Sequence, residues 1–404
     1  MAVDRTPADH SVMRGLNRSL VLDVLRREGP MSRADMAKRT TLTKPTVAAI
    51  VDGLLQEELA VDLGEGESGA TGGRRPVLVE FNWRSQFFLG VQVGETDTEV
   101  ALTDAAGNEI AVRSHPTSRD PQKVLTRVIK DVGELMRSAD APPDRLRAVG
   151  VSIPGLVDEA SGLCLLAPNI GWKNVPVADI VSRGLKVPAL VRNHAQAAAL
   201  AEFNEGAGRG SHILVYLYAQ TGVGAGIIID GEPFSGATGV AGEIGHCRVA
   251  GANAKCTCGK TGCLETVASL RAVVADALGA RRRGGQHEFK AVVDAAAGGN
   301  RAARNALTRA ARELGSAAAT LVNMFGPNVL VAGGSIIEDG GVFDEFRTAL
   351  AADTLAPVMK RLELRTPELG LRGGLRGAIL VAQRRAAHAE RLLLAPQPAF
   401  EFSN

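Results

Sequence analysis

The sequence predicts an α/β protein in which a small N-terminal module precedes a larger, two-lobed domain. Three observations predict it. The chain has 404 residues, beyond the length at which a single hydrophobic core usually stops growing. The residues up to Phe81 pattern as three short helices and a hairpin, whereas from Phe87 onward strand-like apolar runs alternate with helical stretches. Apolar residues at 45% and charged residues at 22% are ordinary for a packed globular chain and exclude long disordered stretches. No secretory leader pattern and no run of about 18 apolar residues is present. The expectation is therefore a cytoplasmic protein with no membrane partner.

In the first module, Leu16, Leu20, Val21, Val24 and Leu25 recur at helical spacing until Gly29-Pro30, which predicts a helix over about Val12 to Glu28. Ser32 is placed to cap a second helix, with Asp35 three residues on as in a capping box. After a connector at Thr40 to Leu42, Thr43 caps a third helix and Pro45 fits its first turn. Val47, Ile50, Val51 and Leu54 give that helix one apolar face. Its other face opens with Lys44 and Thr46 and continues with Ala48 and Ala49, small enough for the backbone to approach a major groove. Leu59 to Val61, a Gly-rich tip from Gly64 to Gly73, and Val77 to Phe81 then read as a hairpin, or wing. This is the order of a winged helix-turn-helix, and it points to double-stranded DNA. Eight basic residues lie between Arg14 and Lys44, against Asp23, Glu28 and Asp35, while Asp52 to Glu67 carries only acidic charge. The candidate DNA contacts are Ser32, Arg33, Lys44 and Thr46 on the helices and Arg74 and Arg75 on the wing. The plainer alternative is a protein-interaction module with solvated basic residues.

Five cysteines are present, and three crowd into Cys256, Cys258 and Cys263. With His246 upstream they supply three thiolates and an imidazole, a closed tetrahedral set suited to structural zinc with no position left for a catalytic water. Unrelated buried cysteines are the alternative reading, and the one applied to Cys164 and Cys247.

The segment Gly239-Val-Ala-Gly-Glu243-Ile-Gly-His246, followed by Cys256-Thr-Cys258-Gly-Lys-Thr-Gly-Cys263-Leu-Glu265, strongly resembles the ROK family of repressors and sugar kinases. Ile153-Pro154-Gly155, Ala167 to Trp172, Gln220 to Gly226 and Asn323 to Gly334 extend the resemblance over nearly the whole chain. It implies the actin-like ATPase fold. It also implies a sugar or sugar phosphate held by Asn193, Glu243, His246 and Glu265, with Gly155 on the wall and Asn169 as a further, more structural candidate. Carboxylates and amides at fixed positions answer the hydroxyls of a hexose with directional bonds.

The kinase machinery departs from the family pattern. Active members carry Asn-Asp where this chain has Asn193-His194, and Asp-x-Gly-Gly-Thr where it has Gln92-Val93-Gly94-Glu95-Thr96. A base, a metal-facing carboxylate and close backbone approach to phosphates are all needed for phosphoryl transfer. The reading is therefore of a sugar-responsive DNA-binding regulator, a repressor of carbohydrate metabolism genes, that is not an enzyme and acts as a homodimer or homotetramer. An active sugar kinase with a DNA-binding appendage and a regulator answering to a protein partner are the alternatives. The expected division is 1–82 for the first module and 83–404 for the second. Within the second, the smaller lobe takes about 83–192 plus a C-terminal helix near 375–394, and the larger lobe takes about 193–374. Thr221 to Gly226 reads as a tight turn between strands.

Overall fold

A computed structural model of the chain describes residues 10–65, 75–279 and 285–394. The N-terminal module consists of helices His10–Glu28, Arg33–Thr40 and Lys44–Gln56 and a three-stranded sheet in which Val77–Phe81 lies between Met31–Ser32 and Ala60–Glu65. The helix starts are those the caps predict. The Ser32 hydroxyl accepts from the Asp35 N–H, and Thr43 accepts from Thr46 N–H. Thr41 takes a left-handed conformation at φ 57°, which turns the chain between the second and third helices. Val21, Leu25, Met36, Val47, Val51 and Leu54 pack with Val79 and Phe81 into one core. Leu16 and Leu20, expected on the buried face, are instead 53% and 41% exposed, beside an exposed Met13. The other elements of the module pack around Val21 to Leu25 and leave the first half of that helix uncovered.

Trp83 links this module to the rest of the chain. Its ring meets Phe81 edge-on at 4.9 Å, and its carbonyl accepts from Ala105 N–H. A five-stranded sheet follows, in the order Ala189–Asn193, Leu146–Ile153, Phe87–Val93, Asp97–Thr103, Glu109–Pro116, with the first three strands parallel. Helix Pro121–Ser138, capped by Asp120, buries Val124, Leu125, Val128 and Val132 into the core on one face of this sheet. The C-terminal helix Gly373–Leu394 covers strands Leu146–Ile153 and Phe87–Val93 and also reaches the first helix. A second five-stranded sheet runs Glu232–Pro233, Val223–Ile229, Ile213–Ala219, Val329–Gly333, Glu363–Arg365, and the long helix Arg301–Phe325 shares its core.

Helix His194–Glu205 joins the two sheets, packing on the C-terminal helix and on strand Val223–Ile229. The helices meet closely because Gly377 has no side chain: a Cβ there would lie 1.8 Å from the Ala197 carbonyl oxygen.

Three local features bear on the site. The segment after Cys263 forms two helices, Glu265–Ala268 and Leu270–Leu278, because Ser269 is extended and caps the second through Ala272 N–H. A small antiparallel sheet, Leu156–Asp158, Leu163–Ala167 and Trp172–Val175, occupies a stretch with no strong alternation of its own. The run from Thr221 to Gly226 is only in part a turn: Gln220 N–H donates to Gly222, and from Val223 the residues belong to a strand.

Candidate functional site

The cleft lies where strand ends of the two large sheets face each other, and its volume is about 590 Å³. Gly155, Asn193, Glu243, His246 and Glu265 all line it. Asn193 caps helix His194–Glu205, accepting from Ala195 N–H at 2.8 Å and Gln196 N–H at 3.3 Å, while its amide donates to the Gly155 carbonyl at 2.8 Å. Its side chain thus ties the helix to the neighbouring loop. Gly155 sits at φ +89°, and a Cβ there would fall 2.3 Å from the Leu166 carbonyl oxygen. Only glycine fits both demands.

Glu243 and Glu265 face the same space. Burial pushes the Glu243 carboxyl up to about 7, and the nearby Glu265 charge adds to the rise. Glu265 is raised by burial as well, while Val223 N–H and the Thr257 hydroxyl donate to its two oxygens. The His246 ring stands between two groups, with Nδ1 3.7 Å from the Cys256 sulfur and Nε2 3.8 Å from a Glu243 oxygen.

The donor atoms of His246, Cys256, Cys258 and Cys263 all lie within 4.8 Å of one another. A tight loop brings them there: Cys256 N–H donates to Lys260, and Val249 N–H donates to Gly262. Tetrahedral zinc with Zn–S bonds of about 2.3 Å requires sulfurs roughly 3.8 Å apart. The Cys258 and Cys263 sulfurs are 3.7 Å apart, and none of the five cysteines is in a disulfide. Burial, with the adjacent thiols, drives the Cys263 thiol up to about 12, so three thiolates here call for a cation. The donor set fits a dication such as zinc. Cys164 is buried as expected, but Cys247 is exposed; it follows His246 on the outer side of the loop and fills no core.

On the far side of the cleft, Gln92 donates to the Leu371 carbonyl at 3.1 Å, and its own amide oxygen is buried with no donor. One Glu95 carboxylate oxygen is also buried with no donor. The His194 ring stands 5.1 Å from the Tyr218 ring, with Nδ1 3.3 Å from the Ser152 hydroxyl. Burial lowers its pKa to about 4, so the ring is neutral at pH 7. Gly374 of the C-terminal helix presses on both: a Cβ there would come within 2.4 Å of His194 and 2.6 Å of Gln92.

Asn169, Tyr218, Gln220 and Gln286 also line the cleft. Asn169 faces Glu265 across Gly222. Gln220 and Gln286 bond each other and Ser335, over separations of up to 115 residues.

The N-terminal candidates separate. Lys44 and Arg75 are exposed, and Thr46 is half-buried at the start of its helix. Arg33 is held by Asp52 at 2.9 Å. Ser32 is corrected: it is 5% exposed, its hydroxyl is used by Asp35, and it serves as a cap. Arg74 lies outside the described residues.

A winged helix-turn-helix joined to two α/β lobes around a cleft defines a class of protein in which a DNA-reading fold and a carbohydrate-kinase-like fold share one chain. The chain belongs to the ROK family, whose pattern matches residues 88–385. It is 32% identical over 350 residues to the xylose repressor of Caldicellulosiruptor bescii, covering 83% of this chain and 87% of that one. It is 29% identical to the N-acetylglucosamine repressor of Shigella flexneri, covering 81% of this chain and 82% of the relative. A ROK family transcriptional regulator described as a homologue of the Escherichia coli MLC protein superposes with a TM-score of 0.75 at 25% identity, covering 95% of this chain and 99% of that one. A ROK family glucokinase from Streptomyces griseus, solved with glucose and AMPPNP, superposes with a TM-score of 0.61 at 29% identity, covering 74% of this chain and 99% of that one.

Proposed function

We propose that this protein is a sugar-responsive transcriptional repressor. One observation carries the reading: the chain that bears a helix-turn-helix with Lys44 exposed at its third helix also gathers Asn193, Glu243, His246 and Glu265 into one cleft. The repressor relatives favour the same assignment. Glu243, Glu265 and Asn169 take the sugar hydroxyls, while Asn193 chiefly sets the position of Gly155. His246 Nδ1 and the three cysteines would hold a structural zinc. The His246 ring, so held, would keep its Nε2–H toward Glu243 and the sugar.

Phosphoryl transfer is not part of this function. His194 is neutral and packed under the C-terminal helix, Gln92 offers no carboxylate, and Glu95 places negative charge where nucleotide phosphates would lie.

The response is a population shift between lobe arrangements. The C-terminal helix starts against His194 and Gln92 and reaches the first helix of the DNA module, so it carries a change in the cleft to that module. In a homodimer this alters the spacing of the two reading helices. The test is selection of a bound sequence from a randomised duplex library, followed by anisotropy titration of that duplex with and without sugars. Release of the duplex by one sugar is the expected result. Operator affinity unchanged by every sugar at several salt concentrations would sink the coupling.

A further inference from the structure

Glu243 reaches the cleft at the end of a loop from Ser235 to Gly242 that leaves the sheet of the larger lobe, yet the smaller lobe clasps this loop. The Ser235 hydroxyl donates to a Glu159 oxygen at 2.7 Å and accepts from Arg192 at 3.3 Å, and Arg192 and Glu159 form an ion pair with each other. Arg192 belongs to strand Ala189–Asn193 and Glu159 follows strand Leu156–Asp158, and both strands send residues into the core of the smaller lobe. Gly239 presses on the same lobe: a Cβ there would fall 2.8 Å from the Val157 carbonyl oxygen and 3.1 Å from the Glu159 nitrogen.

Gln196 makes a second clasp. It is 3% exposed, in the first turn of helix His194–Glu205. Its amide donates to the Gly239 carbonyl at 3.3 Å and the Ala241 carbonyl at 3.1 Å, and its oxygen is left buried without a donor. A buried amide with one end unmet is a costly way to fill space. What it supplies is a fixed place for two carbonyls just before Glu243. The Asn193 side chain accepts from Gln196 N–H, so one helix start holds the Gly155 loop through Asn193 and the Glu243 loop through Gln196. On its other side the loop is tied to its own sheet, Ala225 N–H donating to the Gly242 carbonyl at 2.8 Å. Gln196, Ser235, Arg192 and Glu159 are all absent from the cleft lining. Any influence they have on a bound sugar therefore passes through the loop.

We propose that Gln196 and Ser235 are positioning residues for the effector, acting through Glu243 by clasping its loop to the smaller lobe. The proposal rests on the carbohydrate reading of the cleft.

The experiment is calorimetric titration of the full chain, prepared with zinc, with xylose, glucose, N-acetylglucosamine, glucose 6-phosphate and N-acetylglucosamine 6-phosphate. The sugar that binds wild type is then titrated into Gln196→Met, Glu243→Ala and the double variant. Methionine fills the volume of glutamine without its donors. Gln196→Met should weaken the sugar at least about tenfold in the wild-type background and less than about twofold in the Glu243→Ala background, as for two residues that act through one contact. Ser235→Ala should weaken it about fivefold, the worth of one hydrogen bond, and Ser235→Thr, which keeps the hydroxyl, should stay within about twofold of wild type. Wild-type affinity in Gln196→Met, or equal losses in the two backgrounds, overturns the proposal and leaves the carbohydrate reading standing. The Ser235 pair decides the matter even if Gln196→Met fails to fold: wild-type affinity in Ser235→Ala, or a threonine variant as weak as the alanine one, overturns it too. Failure of wild type to bind any sugar of the panel removes both.

Discussion

The two walls of the cleft use polar groups in opposite ways. On the cysteine side, Glu265 receives Val223 N–H and the Thr257 hydroxyl, and His246 stands between Cys256 and Glu243. On the Gln92 side, acceptors are buried without donors and the histidine is neutral under a helix. The first wall is internally braced. The second presents a carboxamide and a neutral imidazole packed against the C-terminal helix. The two sets of groups sit on different strand ends of one fold, so either can change without disturbing the other.

The largest effect is expected from breaking the braced wall at its root. Cys263→Ser should release the metal, measured by metal analysis, and lower sugar affinity by more than about 100-fold, since positioning of His246 and Glu265 both depend on that loop. Sugar affinity retained in the metal-free variant would mean that the cluster braces nothing. Glu243→Gln should weaken sugar binding by roughly 10- to 100-fold, the worth of one charge-assisted hydrogen bond, while operator affinity in the absence of sugar stays within about twofold. Calorimetry and anisotropy together test this.

The other wall is sharpened by pH and packing. His194 takes up a proton near pH 6.5 when unfolded but only near 4 when folded, so the unfolded state binds more protons in that window. Stability therefore falls as pH drops from about 6.5 to 4, by at most about 3 kcal/mol. In His194→Asn the dependence should flatten by that contribution, as read by denaturant unfolding at several pH values. Gly377→Ala should cost about 1–3 kcal/mol, because its Cβ meets the Ala197 backbone rather than a flexible side chain; an unchanged Tm would mean that the C-terminal helix is free to shift. The smallest effect is at the wing. Arg75→Ala should weaken binding to all DNA sequences about equally and reduce the salt slope by about 1.

Most of the N-terminal module was legible in the sequence, because caps and helical periodicity are local: Ser32, Thr43 and Pro45 set the helix starts. What periodicity missed was that Leu16 and Leu20 stay 53% and 41% exposed among the described residues. The His/Cys cluster was legible for a similar reason, as Cys256, Cys258 and Cys263 lie within one short loop. Asn169, Tyr218, Gln220 and Gln286 gave no comparable signal. A single polar residue carries no periodicity, and the Gln220–Ser335 contact spans 115 positions. Nor did any local feature show that Ser32 is buried, or that Asn193 spends its side chain on a cap and on Gly155.

The sequence by itself determined the helix-turn-helix and the grouping of His246 with Cys256, Cys258 and Cys263, since each is a matter of residue type at short spacing. Only the tertiary structure decided that the two walls share one cleft, which acceptors in it lack donors, and that one C-terminal helix runs from that cleft to the DNA module. Those depend on which distant strand ends and glycines the packing brings together, and close packing is a property of the whole fold rather than of any segment.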